Sequence, residues 1–233
     1  MRYFTPFLSI GLAGKQRAES IEKFGGLPEG FPLKRWPRCS NCGCFQSFSA
    51  QFAHHPERLD LGADGRMLFL FQCAQPEHSG VCETWDRASG ANAALIVEPG
   101  ELAESMDSAP DDGLPLENEV FVAAWELHDD GIPSEMASAY FSNERLSALT
   151  RKGRCMPSTG TRMGGVPCWV QGAEEIDHAH WRFIGQLDSY HHLKIGDEVT
   201  VIDAANYGSG VAYIFVERTP RDDGPRAAVF WQC

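Results

Sequence analysis

Cys39-Ser40-Asn41-Cys42-Gly43 sets two thiols one tight turn apart, the spacing at which a knuckle grips a single metal ion. The glycine after the second cysteine accepts the backbone angles that let N–H groups point at sulfur. Further on, Cys73 and Cys82 offer two more thiols across the loop Ala74 to Val81, a wider spacing than a second knuckle. Together Cys39, Cys42, Cys73 and Cys82 predict a structural zinc site. Four thiolates fill a tetrahedral ion and leave no position for water or substrate, so such a site holds structure and performs no chemistry. Cys44 competes with Cys42 for the ion, and His78 competes with Cys82 from within the same loop.

Two other chemistries compete for these residues. A disulfide, chiefly Cys73 to Cys82, requires an oxidising compartment. The segment Met1 to Gly14 has one basic residue and a short apolar stretch broken by Pro6, which makes a poor secretory leader. The longest apolar run, Met67 to Phe71, is far below the roughly 20 residues of a membrane span. A cytoplasmic protein with reduced thiols is expected, and there paired cysteines more often bind metal than oxidise. A zinc-dependent hydrolase is the functional alternative. It would use three of the cysteines with water in place of Cys82, or a separate site of His178, His180, His191 and His192, where an open position lets the metal activate water. The adjacent pairs His54-His55 and His191-His192 point to opposite faces of a strand and chelate poorly, whereas His178 and His180 would share a face. Cys155 and Cys168 with His178 and His180 form a weaker second metal candidate, without a knuckle. The chain carries no phosphate loop, nucleophile elbow, His-Glu-x-x-His helix or dinucleotide fingerprint, so a non-catalytic module is the leading expectation.

The 233 residues are 43% hydrophobic, enough for a real core in one large domain or two small ones. Lys and Arg number 20 against 32 Asp and Glu, and the formal charge of -12 repels nucleic-acid backbones and anionic membranes. The stretch Ala88 to Glu144 has thirteen Asp or Glu and no Lys or Arg. Its centre, Gly100 to Asn118, reads as an exposed loop. The acidic segment Glu98 to Glu135 is either a solvated connector or a docking surface for a basic protein partner.

Strands must position most of these groups. Ser47 to Phe52 alternates with Phe48, Ala50 and Phe52 on one face, and Arg66 to Cys73 has the unbroken apolar run of a strand covered on both sides. Further strands are predicted over Ala93 to Val97, Val120 to Leu127, Trp181 to Leu187, Glu198 to Ile202, Val211 to Glu217 and Ala227 to Gln232. Helices are predicted over Gln16 to Phe24, stopped by Gly25, and from Ser134 to about Lys152, stopped by Gly153. Three landmarks recur in order: Gly25-Gly26-Leu27-Pro28 with Gly164-Gly165-Val166-Pro167, each followed by a tryptophan, then Phe48 to Phe52 with Phe183 to Leu187, then Phe71-Gln72-Cys73 with Trp231-Gln232-Cys233. They predict an internal duplication. The expected class is a β-rich α+β fold of two related antiparallel-sheet halves packed together, residues 1–133 with the zinc site and 134–233 as a degenerate copy without metal.

The same landmarks resemble the YwqG-like family, a bacterial domain of unknown function. The residues that carry the likeness are Lys23 to Pro28, Trp36-Pro37 with Cys39 and Cys42-Gly43, Phe48 with Ala50-Gln51, Leu70 to Cys73, Cys82-Glu83 with Trp85-Asp86, and Asn206-Tyr207-Gly208 leading to Tyr213-Ile214-Phe215. The resemblance implies a β-rich α+β fold of two related halves, zinc in its cysteine-bearing branch, and no established reaction. A more distant similarity is to the programmed-cell-death-2 family, which shares the Gly-Gly-x-Pro opening, the Cys-x2-Cys and the duplication, and whose members chaperone a basic ribosomal protein. This chain lacks that family's additional cysteine-rich finger.

Overall fold

The computed structural model describes residues 1–11, 21–75, 82–103, 108–151, 157–174, 176–177, 179–195, 198–219 and 224–233. Among them run the strands β1 Arg2–Ser9, β2 Lys23–Phe24, β3 Ser47–Ala53, β4 Met67–Gln72, β5 Asn92–Val97, β6 Val120–Asp129, β7 Arg162–Gly164, β8 Trp181–Asp188, β9 Tyr190–Ile195, β10 Glu198–Asp203, β11 Val211–Glu217 and β12 Ala227–Gln232. Ten of them form one antiparallel sheet in the order β12-β11-β8-β7-β1-β6-β2-β3-β4-β5, and β9 with β10 forms a separate hairpin. The sheet is nearly closed: its end strands, β5 and β12, come alongside each other without pairing.

The interior of the sheet is one apolar core shared by both parts of the chain. Leu68 and Leu70 of β4 point inward with Ile184, Ile214 and Val229. Met67, Phe69 and Phe71, from the opposite face of β4, pack outside against Phe31 and Trp36. The unbroken apolar run of β4 is therefore covered on both sides, as its sequence predicts, and each such buried side chain contributes about 1.5–3 kcal/mol. On the far side Phe183, Tyr213, Phe215 and Phe230 form the corresponding outer cluster, covered by Trp169 and Phe141.

Both outer clusters owe their form to a bulge. The register skips Ser49 between Phe48 and Ala50 on β3, and Ile184 between Phe183 and Gly185 on β8. Simple alternation would put Phe48 on the face of Ala50 and Phe52. The extra residue instead turns Phe48 outward to Phe71, while Ala50 and Phe52 stay in the interior. Two residues past each bulge stands a fully buried glutamine, Gln51 or Gln186. Gln51 Oε1 accepts from the Glu29 N–H at 2.7 Å and its Nε2 donates to the Ile21 carbonyl at 2.7 Å. Gln186 Oε1 accepts from the Cys168 N–H at 2.9 Å and its Nε2 donates to the Gly160 carbonyl at 3.0 Å. Each side chain thus clasps the residue after its turn proline, Pro28 or Pro167, and the residue four before its first turn glycine. Lys23 lies opposite Gln51 on β2 as Arg162 lies opposite Gln186 on β7. The turns need their glycines: Gly25 and Gly26 have φ of 59° and 66°, Gly164 and Gly165 of 81° and 69°. A Cβ at Gly25 would lie 2.2 Å from the Asn118 carbonyl oxygen.

The third landmark behaves differently. Gln72 ends β4, the neighbour of β3, but Gln232 is on the end strand β12, whereas the neighbour of β8 on that side is β11. There Tyr213 opposes Gln186 as Phe69 opposes Gln51. Gln72 bonds the Asn206 carbonyl, while Gln232 bonds backbone at Gln171 and Gly172. A glutamine tying a loop to a strand end is common to both places, and it produced a match between strands in different positions.

Several expected elements change. Lys23 and Phe24 form strand β2 rather than the end of a helix, because Phe24 is buried between Phe52 and His191; residues 16–20 of that predicted helix lie outside the described residues. The helix expected from Ser134 breaks into a 3-10 segment, Ser134–Phe141, and a helix α1, Asn143–Arg151, with Ser142 extended between them. Tyr140 is drawn to Ile132 and Val166 while Phe141 is drawn to Trp169, and Asn143 binds both backbone groups of Ala173. Strand β1 was not foreseen. It pairs β6 on one side and β7 on the other, so the sheet runs outward from the β1–β6 contact as β6-β2-β3-β4-β5 in one direction and β1-β7-β8-β11-β12 in the other. No described helix is long and apolar enough to cross a membrane.

Candidate metal centre

The first loop past Trp36 folds back on itself as a small hairpin. Arg38 bridges Phe45, the Cys39 N–H donates to the Cys44 carbonyl at 2.8 Å, and the Gly43 N–H donates to the Cys39 carbonyl at 2.8 Å. Gly43 adopts φ of 74° to close the turn. The Arg38 guanidinium lies 3.6 Å over the Phe45 ring and donates to the Gly43 carbonyl, which locks the outer side of the hairpin. Cys73 follows directly on β4, and its N–H donates to the Ala91 carbonyl at 2.8 Å. Cys82 arrives on a loop whose return is fixed by Asn92, the side chain of which donates to the carbonyls of Thr84 and Asp86.

These elements bring the sulfurs of Cys39, Cys42, Cys73 and Cys82 within 4.8 Å of one another. Cys42 Sγ and Cys73 Sγ are 3.6 Å apart. Zinc–sulfur bonds of about 2.3 Å at the tetrahedral angle hold sulfurs about 3.8 Å apart, whereas a disulfide requires about 2.05 Å. The arrangement fits an ion at the centre and not a bond between sulfurs; among the described residues every cysteine is free. Cys39, Cys73 and Cys82 are buried and pack around Ala91, and Cys42 is half-buried. Cys42 also lines a cleft of about 400 Å³ with Cys44 and Asp111, which gives an ion a route in from solvent. An all-sulfur tetrahedral set suits zinc or iron.

The protonation pattern follows from the packing. Burial works to raise Cys42, but hydrogen bonds to its sulfur from the Cys44 backbone and from Cys73, Cys39 and Cys82 outweigh it and bring Cys42 down to about 7. Burial pushes Cys82 up to about 12, with Cys39 adding to the rise, and pushes Cys73 higher still. The Cys42 thiolate therefore forms readily, and Cys73 and Cys82 give up their protons only in exchange for a cation.

The competing residues are not brought to this point. Cys44 turns its sulfur away, 3.9 Å from the Cys42 carbonyl oxygen, and is not part of the converging group. His78, His178 and Cys155 lie outside the described residues. His191 is buried against Phe24, its exposed neighbour His192 is on β9 beside it, and His180 is bound to Asp177 in a surface turn. Cys168 is half-buried beside Arg162, far along the chain from any second thiol pair. Among the described residues no other His, Cys, Asp and Glu side chains converge as a metal site would require. The supports carry no motif that sequence reasoning could have found: Gly90, whose carbonyl accepts from the Ser40 N–H and Gln46 Nε2, and Asn92. Only the crowding at Gly90, where a Cβ would lie 2.2 Å from Ser40 Oγ, marks its position as fixed.

No protein-family model matches the chain, and no curated protein matches it.

Proposed function

We propose that this chain is a non-catalytic, zinc-stabilised protein-interaction module of the YwqG-like kind, working in the cytoplasm and built by internal duplication. The observation that carries the reading is the convergence of four cysteine sulfurs from three separate segments, which supplies every position of a tetrahedral ion from the protein itself. With Cys82 in the set, no site is left for a hydrolytic water. Zinc is the ion of choice because it prefers this closed geometry and needs no redox partner. Duplication is supported by the matching glutamine clasps, bulges and turn glycines of the two parts.

The partner of this module is a basic protein, which it holds in a chaperone-like manner through acids of the 98–135 segment. Much of that segment's charge is already matched: Glu98 pairs with Arg66, Glu101 with Arg35, Glu119 with the buried Lys23, and Asp129 and Asp130 with the Met1 amine. The segment also includes the buried Leu114 and the central strand β6. Among the described residues Asp111 and Asp112 on the turn and Glu135 are exposed acids that a basic partner would meet, and Glu126 is exposed with its carboxylate 3.5 Å from His128. Protein purified reduced and without chelator should carry one zinc per chain by elemental analysis; no metal would overturn the zinc assignment. Pull-down at low and at high salt with Asp111→Asn/Asp112→Asn tests the partner. The variant should lose a basic protein that the parent holds at low salt, and equal recovery would reject the acidic surface.

A further inference from the structure

Where β5 and β12 run alongside each other unpaired, the seam opens into a cleft of about 640 Å³. Its floor is small and apolar, with Ala94 from one end strand and Ala227 from the other. Its walls carry Arg35, Arg87, Arg226 and the Trp181 indole. No Asp or Glu among the described residues lines it. In a chain with 32 acidic and 20 basic residues, a concavity whose described lining holds three guanidinium groups and no carboxylate differs from the prevailing charge.

Three separate elements deliver these cations. Arg35 ends the 3-10 turn Leu33–Arg35, and it is partly engaged: Nη1 reaches Glu101 at 2.8 Å and Nη2 the Ile96 carbonyl on the β5 edge at 3.4 Å. Arg87 comes from the loop after Cys82. That loop is held by Asn92 and by the Trp85 ring, 6.1 Å from the Trp231 ring of β12, with Trp231 Nε1 donating to Thr84 Oγ1. Arg226 immediately precedes β12, and its carbonyl accepts the Glu217 N–H at 2.9 Å. The Arg87 and Arg226 side chains are exposed, and Arg226, like Arg35, has a partner already. Guarding an open sheet edge against strand addition would explain Arg35, which covers a β5 carbonyl. It does not explain Arg87, which is on no strand.

We propose that this cleft binds a small, multiply charged organic oxyanion, a polyphosphate or a polycarboxylate, through its guanidinium groups, with the organic part resting on the apolar floor and Trp181. Guanidinium groups recognise phosphate and carboxylate oxygens in bidentate fashion, and the volume is that of small-molecule sites, about 300–1,000 Å³. The site is independent of the metal reading. The test is calorimetric titration of the full chain with pyrophosphate and, separately, citrate, at matched ionic strength. Saturable one-to-one binding of pyrophosphate assigns a phosphate ligand, and of citrate a carboxylate one. Arg87→Gln/Arg226→Gln should weaken the binding at least tenfold while leaving the melting temperature unchanged. Ala88→Glu, which sets a negative charge on the exposed lip of the same cleft, should weaken it in the same direction without removing any cation. If neither probe saturates in the millimolar range, or if these variants bind as the parent does, the cleft is not an anion site.

Discussion

After the Gly25-Gly26-Leu27-Pro28 turn the chain passes Trp36 and enters the cysteine hairpin; after Gly164-Gly165-Val166-Pro167 it passes Trp169 and enters a loop fastened by hydrogen bonds. In the second place the Tyr213 hydroxyl donates to the Cys168 carbonyl at 2.9 Å and accepts the Val170 N–H at 3.0 Å. Gln232 accepts the Gln171 N–H and donates to the Gly172 carbonyl, and Asn143 bonds both backbone groups of Ala173. In the first place Phe69, which occupies the position of Tyr213 opposite the buried glutamine, has no hydroxyl to offer. In the loop there four thiols converge instead. One outer loop is thus secured by polar side chains reaching from the sheet, and the other carries a cysteine cluster from three segments that could hold an ion; with an ion bound, that part of the molecule would depend on a ligand.

The largest expected difference between the two parts is their response to chelation. Apparent zinc free energies in small modules are about 10–16 kcal/mol, against domain stabilities of about 5–15 kcal/mol. Cys39→Ser or removal of the metal should lower the melting temperature by tens of degrees in calorimetry and expose the amides of Cys39 to Cys44 to exchange before those of Val170 to Ala173. The stripped protein should also become alkali-sensitive. Cys82 and Cys73 have folded values raised by burial, above the thiol's ordinary range. Their contribution is complete below the unfolded pKa of about 8.5 and is lost as pH rises towards about 12, because the unfolded chain releases protons first. Metal-loaded protein, with its thiolates already formed, should show no such decline over pH 8–10.

Next in size, Gln51→Ala and Gln186→Ala should cost about the same. Each would strand a backbone N–H and a carbonyl, and Gln51 also the Glu29 carbonyl that its Nε2 reaches at 3.3 Å, at about 1–3 kcal/mol for each group left buried and unpaired. Denaturant titration of the two variants measures this, and a large inequality would break the parallel between the halves. Gln232→Ala should cost less, about 1–2 kcal/mol, because Gln171 and Gly172 are near solvent. It should leave metal content unchanged.

How far the sequence revealed this can be read from particular residues. The knuckle spacing of Cys39 and Cys42 and the later pair Cys73 and Cys82 selected the four converging sulfurs, and the apolar run of β4 and the limits of β11 and β12 were legible from their composition. The unforeseen elements lack a local signal. β1 contains Pro6, and β2 and β7 are two or three residues long, set by pairing with distant strands rather than by their own propensity. The bulge at Ser49 is invisible to a period-two reading because it adds one residue to the alternation. The cluster of arginines at the β5–β12 seam depends on a closure between strands more than a hundred residues apart, which no window of sequence contains.

The smallest expected effect at neutral pH concerns the β9–β10 hairpin, which sits between β8 and β11 and has no counterpart between β3 and β4. His191 packs 4.4 Å from the Phe24 ring, and burial, with a lesser effect of His192, holds it down at about 4. A depressed base contributes stability that is present above its unfolded value of about 6.5 and is lost as pH falls through about 4. His191→Phe should therefore change little at pH 7 and shift the acid unfolding midpoint to lower pH, measured by circular dichroism. An unchanged midpoint would show that the acid response comes from the carboxylate ion pairs instead.

X-ray absorption at the zinc edge, on protein purified under reducing conditions, tests the four-thiolate site directly. Four sulfur neighbours at about 2.3 Å, with one zinc per chain lost in Cys39→Ser and retained in Cys44→Ser, are the predicted result. A spectrum with nitrogen or oxygen in the first shell, or a protein that folds stably with no metal at all, would contradict the account.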